Sequence, residues 1–147
     1  MTRVYDQIQA ALEGHLLDCP ELPLNPATGK RLIAFENDRF EPVTNQPWWR
    51  VQFVPVGSER GSAGEDGYTR VDGEFVIDLF YPAGGGSGSA RRAADDLVSH
   101  FKSAQSVTSS GGVAVWIRGA RREPALSEER WFNVQVRVRW TTHQPEL

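Results

Sequence analysis

The chain has 147 residues, with 16 Lys and Arg against 19 Asp and Glu and a formal net charge of −3. This length fits one domain with a sizeable core, and the near-neutral charge argues against a dedicated nucleic-acid binder, which has a basic excess. The single Cys excludes an intrachain disulfide and a Cys-based structural zinc site. No apolar run approaches the roughly 18 residues of a membrane span, and the N-terminus lacks a signal-peptide core. We expect a cytosolic-type soluble protein with a single domain over residues 1–147.

The basic residues are mostly arginine, since 14 of them are Arg and two are Lys. Arg is favoured in protein interfaces because its planar fork pairs with carboxylates and stacks on aromatic rings. With five Trp in the chain, this composition suggests a surface that another protein covers. The alternative is a high-GC genome, whose codons favour Arg.

The first half of the chain predicts one helix and two strands. Apolar residues at three- and four-residue spacings predict an amphipathic helix over residues 4–17. A short strand is expected at 32–36, and a clearer one at 48–54, where apolar residues alternate. Residues 57–67 contain four glycines and no large apolar residue. They predict a long hairpin loop or a segment that becomes ordered on contact.

The second half predicts a strand, a helix and two closing strands. Alternation over 68–81 predicts a long strand, and a glycine-rich turn then leads into a helix over 90–104. Two further strands are expected at 113–118 and 131–140, the last with a clean apolar face and a polar face. One apolar face means that helices cover a single side of the sheet. We therefore predict an α+β fold in which one mixed, mainly antiparallel sheet packs against two α-helices.

The sequence offers no catalytic constellation. The glycine-rich turn at 84–89 lacks the Lys of a phosphate-binding loop and the spacing of a dinucleotide or nucleophile motif. His15 and Cys19 lie four residues apart on the first helix like a metal pair, but the spacing supplies no third ligand. Adjacent carboxylates point in different directions, so no general acid–base pair results. We expect no enzymatic activity, no cofactor and no metal site.

Basic residues gather in the last third of the chain, with two Trp among them. They are Arg118, Arg121, Arg122, Arg130, Arg137 and Arg139, with Trp116 and Trp131. Basic residues between aromatics are typical of single-strand nucleic-acid binding. Because Glu123, Glu128 and Glu129 lie in the same region, ion pairing between subunits fits this pattern at least as well.

Four segments carry a family likeness that spans nearly the whole chain in order. They are YDQIQAAL at 5–12, FEN at 35–37 followed by PWWRV at 47–51, GEFVIDLFYP at 73–82 leading into the helix at 90–95, and the final Arg139-Trp140. Together they resemble the tail-terminator-like proteins of long-tailed bacteriophages, a family that also supplies neck proteins of prophages and gene-transfer particles. Each of these motifs is structural.

The resemblance implies a ring of identical subunits, usually a hexamer, built on a fold of one sheet and two helices. Such a ring caps the last ring of the tail tube, stops tube polymerisation and offers its other face to the head–tail connector or head-completion protein. DNA passes through the hole without sequence-specific binding, and no membrane, cofactor or catalysis is involved. The expected location is the virion at the head–tail junction, and the host cytoplasm during assembly.

Within this family likeness, we predict that charged residues of two loops make the contacts. The first group, between the last two strands, is Arg121, Arg122 and Arg130, and the second, in the glycine-rich segment, is Glu59, Arg60, Glu65 and Asp66. Two other functions stay open. One is a different neck or head–tail completion protein, and the other is a small-ligand or single-strand nucleic-acid-binding α+β module.

Overall fold

The computed structural model describes residues 4–60 and 69–144, and at 58–60, 69 and 144 it describes the backbone alone. This part of the chain contains two helices and seven strands. In chain order they are α1 (Val4–Leu17), β1 (Ile33–Ala34), β2 (Trp48–Arg60), β3 (Thr69–Pro82), α2 (Gly88–Ala104), β4 (Ser106–Thr108), β5 (Ala114–Arg122), β6 (Leu126–Ser127) and β7 (Trp131–Gln144). The predicted α+β class is confirmed.

The strands form one sheet in the order β1-β2-β3-β7-β5-β4, with β6 beside β7. β1 runs parallel to β2, and every other pairing is antiparallel. The central pair is long, because β3 and β7 are in register from Thr69 opposite Gln144 to Pro82 opposite Trp131. The sheet is therefore mixed and mainly antiparallel, as predicted.

The main core lies between the two helices and one face of the sheet. α1 buries Ile8, Ala11, Leu12 and Leu16, and α2 buries Ala90, Ala93, Ala94, Leu97 and Phe101. They meet alternate residues of the central strands, including Trp49, Phe75 and Val136. Each large apolar side chain buried here contributes about 1.5–3 kcal/mol relative to exposure. The apolar alternation seen in the sequence thus marks the helix-covered face.

The opposite face, which we call the outer face, is not entirely open. Val76 and Phe80 of β3 are almost fully buried there. Trp48 stacks on Phe80 with 4.3 Å between ring centroids, and Phe40 stacks on Trp48 at 5.3 Å. The segment before β2 therefore folds over one end of the outer face. A sheet covered on a single side was expected, and this second apolar cluster is the difference.

Three strands extend beyond their predicted ends by four residues or more, and one of them is β7, which continues to Gln144. β2 continues to Arg60, and β5 continues to Arg122. Their polar ends are held by pairing with neighbours, as Gly57 lies opposite Asp72 and Arg121 lies opposite Arg137. Strand pairing here overrides the weak local propensity that predicted loops. Conversely, the strand predicted at 32–36 has only the two residues of β1.

The two helices are joined by a reciprocal contact between histidines. The rings of His15 and His100 stack with centroids 3.9 Å apart. His15 Nε2 lies 2.9 Å from the His100 carbonyl oxygen, and His100 Nε2 lies 2.7 Å from the His15 carbonyl oxygen. His100 is partly buried in this contact with α1.

This contact predicts a loss of stability in mild acid. Burial lowers the pKa of His15 below its ordinary value of 6.5, and the nearby His100 lowers it further, against the opposing effects of the His100 carbonyl and Asp18. The unfolded chain then binds a proton at a higher pH than the folded chain. The contribution of His15 to the free energy of unfolding is present above pH 6.5 and is lost as the pH falls through the pKa of His15 in the folded chain.

We expect the free energy of unfolding to fall between about pH 7.5 and about pH 5.5, and to fall less in His15→Gln. Gln retains an N–H donor for the His100 carbonyl but does not titrate in this range. Urea unfolding at both pH values measures the difference. Equal pH dependence in the two proteins would show that the histidine contact is not the titrating element.

Candidate interaction surface

The outer face presents charged and polar side chains from four strands. Because successive residues of a strand point to opposite faces, the outer-face side chains follow from the register of the sheet. They lie in rows across it: Arg50, Asp78 and Gln135; then Gln52, Val76, Arg137 and Arg121; then Val54, Glu74, Arg139 and Gly119. The register thus places at least one Arg in every row.

Asp78 is the centre of a hydrogen-bond network on this face. Its side chain is 3% exposed. Arg50 donates from Nη2 and Nε to Asp78 Oδ2, at 3.0 and 3.3 Å. Gln135 donates from Nε2 to Asp78 Oδ1 at 2.9 Å, and Arg137 Nε donates to Gln135 Oε1 at 2.9 Å. The buried carboxylate therefore has a charged donor on Oδ2 and a neutral donor on Oδ1, so both oxygens are hydrogen-bonded, as a buried charge requires.

The network continues towards β5 through two further carboxylates. Arg137 Nη1 lies 3.4 Å from both carboxylate oxygens of Glu74, and Arg137 Nε lies 3.6 Å from Glu123 Oε1. Arg121 Nε donates to the same Glu123 oxygen at 2.7 Å. Single exposed pairs of this kind contribute little to stability. Their effect here is to fix the side chains of four neighbouring strands in one arrangement.

Two arginines near the β5 side of this face have no ion pair within the described residues. Arg118 and Arg139 are both exposed. With Arg70 and Arg121 they line a concavity of about 420 Å³. Arg139 Nη2 lies over Gly119, 3.0 Å from where a Cβ would stand. Asp72 and Glu74 line it as well, but they are paired with Arg70 and Arg137. Guanidinium groups without an ion pair favour a carboxylate or another anion as partner.

The strands β2 and β5 also carry exposed apolar side chains, one of which lines the concavity. Val56 lines it and is 70% exposed, and Trp116 of β5 is 48% exposed. Arg and Trp together are the residues most enriched where protein interfaces have their largest energies. The composition of this part of the outer face is therefore that of a protein-contact surface.

A second concavity lies at the opposite edge of the sheet, beside β1. Its volume is about 410 Å³, and Phe40 and Trp48 line it together with the carboxylates Glu36 and Asp38. In the described part of the chain these two exposed carboxylates have no ion pair with a cation. Glu36 accepts a hydrogen bond from the Phe53 amide, and Asp38 accepts one from the Arg39 amide. Arg50 also lines this concavity but is paired with Asp78, so the charges of its lining that have no ion pair within the described residues are these two carboxylates.

The sequence-predicted contact residues do not form one patch. Arg121 lies on the outer face, whereas Arg122 points to the helix side and pairs with Asp95 of α2 at 3.2 Å. Both belong to β5 rather than to the predicted loop, and neighbours on a strand point to opposite faces. Arg130 is exposed just before β7, where its carbonyl accepts the Ala83 amide.

The second predicted group lies at the other end of the sheet. Glu59 and Arg60 belong to the last residues of β2, and Arg60 pairs with Thr69 at the start of β3. Arg130 adjoins the far end of β3, roughly 40 Å away along a strand of this length. Glu65 and Asp66 lie outside the described residues. The structure therefore separates Arg130 from this group.

Sequence reasoning named Arg118 and Arg139 only within the group of late basic residues, and it missed Glu36 and Asp38 as candidate contacts. Arg139 had a signal, because the alternation of the last strand placed it on the polar face. Arg118 appeared among the late basic residues without distinction. The two carboxylates lie in an aperiodic segment, so no pattern marked them.

No metal site or membrane helix emerges from the described residues. Among them, no three His, Cys, Asp or Glu side chains converge as ligands. None of their helices combines the length and the apolar character that crossing a membrane requires. The free Cys19 is buried, and burial raises the pKa of its thiol.

The fold and this surface define a class of protein, a small α+β protein with a charged sheet face that also carries exposed apolar side chains. The family model described as phage tail terminator protein matches residues 7–140, and the chain belongs to that family. It is accordingly a structural component of a phage tail and thus of a virion.

A solved structure shares the fold over nearly the whole chain. The TM-score is 0.68 at 24% sequence identity, and the match covers 93% of this chain and 94% of the other. At this identity the likeness supports the fold alone. No curated protein matches the sequence.

Proposed function

We propose that residues 1–147 form one tail-terminator domain, which assembles into a homo-oligomeric ring, a hexamer, that caps the tail tube. The ring stops tube polymerisation and joins the tail to the head–tail connector or head-completion protein. Its partners are further copies of itself, the major tail tube protein and that connector. Assembly takes place in the host cytoplasm, and the ring stays at the head–tail junction of the virion.

The observation that carries this proposal is the family match over residues 7–140. That range includes most of α1, all of α2 and each strand through Trp140 of β7. The family match therefore rests on nearly the whole fold rather than on one motif. The charged outer face supports the proposal, because its ordered arginines and exposed Trp116 suit contact with protein.

The surface charge also fits a ring that DNA crosses without sequence-specific binding. The formal net charge of the chain is −3, and most arginines of the outer face are paired with carboxylates. Tight binding to the phosphate backbone needs many free cations. DNA passage with weak, salt-sensitive contact agrees better with this balance.

Tail length is the direct test of the proposal. A phage that lacks this chain is expected to accumulate tails of abnormal length and heads without tails, because nothing ends tube growth or joins the head. Supplying the chain in trans restores joined particles with uniform tails. Tail lengths and joined particles are counted by negative-stain electron microscopy of lysates.

A variant with two charge reversals, Arg121→Glu with Arg122→Glu, tests whether these residues contribute to the contacts. We expect it to reproduce the abnormal tails, with Lys102→Glu on α2 as a surface control that behaves as wild type. Normal infectious particles without the chain would overturn the proposal. Tails of normal length that lack heads would instead favour another neck protein. A monomer or dimer in solution, seen by size-exclusion chromatography, would favour a ligand- or single-strand-binding module.

A further inference from the structure

Within the described residues, the concavities at the two sides of the sheet differ in their unpaired charges. In the strand order, β1 and β2 form one side of the sheet, and β5 and β4 form the other. The β5 side carries the unpaired Arg118 and Arg139, whereas the β1 side carries the unpaired Glu36 and Asp38. A closed ring of identical subunits needs one surface that fits a different surface of the next copy. Opposite charge at opposite edges satisfies that requirement.

The basic edge is shaped by an irregularity in β5. The register with β7 shifts between Ile117 and Gly119, so Arg118 is the extra residue of a β-bulge. A bulge re-aims the side chain of its extra residue and bends the strand. Arg139 lies across Gly119 in the same place. Both guanidinium groups are therefore held at the side of the sheet that faces away from β2.

The acidic edge is reinforced by helix α1. Glu13 lies close enough to Glu36 for their charges to interact, and the pKa of Glu13 is raised, first by burial and then by that neighbour, against a hydrogen bond from Gln9. A basic group from a partner would relieve the repulsion between the two carboxylates. The adjoining rings of Phe40 and Trp48 also suit a guanidinium, which binds to aromatic faces.

Strand addition is interrupted at both edges, which favours contact through side chains. On β2 the outward amide of Phe53 is already bound by Glu36, and the next outward position is Pro55, which has no N–H. On β5 the Ile117 amide donates to the Gln105 carbonyl, and the bulge follows. These devices leave charge complementarity as the means of specific pairing.

We propose that neighbouring copies bind head to tail through these edges, with Arg118 and Arg139 of one copy against Glu36 and Asp38 of the next. The occupant of each edge is thus a second copy of this chain. This inference rests on the proposed ring and specifies which surfaces close it.

Two complementary variants test the pairing. Arg118→Glu with Arg139→Glu gives a chain with two acidic edges. Glu36→Gln with Asp38→Lys gives a chain with two edges that lack net negative charge, and Gln keeps the oxygen that accepts the Phe53 amide. Each variant alone is expected to lose the ring, with association weakened at least about tenfold because like charges now meet. Circular dichroism and thermal unfolding confirm that each one folds.

The decisive measurement is the mixture of the two variants. An equimolar mixture is expected to recover rings, since acidic and basic chains can alternate around an even-membered ring. Mass photometry and electron microscopy detect the rings, and raising the salt concentration should weaken them through screening. The control is Arg92→Glu with Lys102→Glu on the exposed side of α2. It makes the same change in net charge as Arg118→Glu with Arg139→Glu and should leave the ring intact.

The outcomes separate this inference from the proposed function. If the wild-type chain forms no ring, the proposed function fails. If it forms a ring that both edge variants keep, the ring stands and the edge pairing is wrong. Variants that keep the ring but fail to bind tail tubes or DNA would assign these edges to another partner, which also overturns the inference. Rings from the mixture, and from neither variant alone, establish it.

Discussion

Gly73→Ala is expected to lower the free energy of unfolding by about 3 kcal/mol, at the upper end of what overpacking costs. A Cβ at this position would overlap Cζ2 of Trp140 and would lie 2.7 Å from the Val54 carbonyl oxygen. The Trp140 ring is fully enclosed and stacks on Phe53 with 5.4 Å between centroids. Neither the buried ring nor the strand backbone can move without disturbing the core.

Gly57→Ala is the matched control for this substitution. Gly57 also lies in the β2–β3 pair, but nothing stands within 4 Å of its added Cβ. We expect its effect to stay within about 0.5 kcal/mol. Urea unfolding followed by Trp fluorescence compares the variants. Equal stability of Gly73→Ala and Gly57→Ala would contradict the steric account, whereas partial rescue of Gly73→Ala by Trp140→Phe would support it.

Arg50→Ala is expected to cost about 2 kcal/mol, because it leaves the carboxylate of Asp78 buried with one neutral donor, Gln135. Removing one partner of a fully buried pair costs about 3–5 kcal/mol. The effect here is smaller since the Arg50 side chain is 48% exposed and water can replace part of it. Loss of the contact between Arg50 and the Phe80 ring adds to the cost.

Two comparisons make this expectation specific. Arg122→Ala breaks the exposed pair with Asp95 and should cost less than about 1 kcal/mol. Combining Arg50→Ala with Asp78→Leu should restore much of the stability, because the buried charge is removed with its partner. Denaturant titrations measure all three proteins. An Arg50→Ala protein as stable as Arg122→Ala would show that Asp78 does not depend on Arg50.

Long periodic segments account for the part of the fold that the sequence predicts. The spacing of Ile8, Leu12 and Leu16 defined α1, and the alternation from Phe132 to Trp140 defined β7, because both patterns reflect one buried face. The strands β1, β4 and β6 have two or three residues each. So few residues show no period, and these strands exist through pairing with longer neighbours.

The arrangement of the outer face depends on register, which composition does not reveal. Arg121 and Arg122 looked like one basic pair, but strand pairing turns them to opposite faces. The bulge at Arg118 sets which β5 residues face outwards, and its local signal is the single residue Gly119, since a glycine within a strand often marks a bulge. Glu36 and Asp38 reach their edge because Phe40 folds onto Trp48, which is a tertiary event.

The long register between β3 and β7 also has a mechanical consequence. The strands are antiparallel and paired from Thr69 opposite Gln144 to Pro82 opposite Trp131. A force that pulls the two strands past one another along their axes is shared by all the interstrand hydrogen bonds of the ladder at once. A force that separates the strands at one end breaks those bonds one after another. Loads that pull β3 and β7 in opposite directions along their axes are therefore resisted in shear, which is the direction in which this pair of strands is stronger.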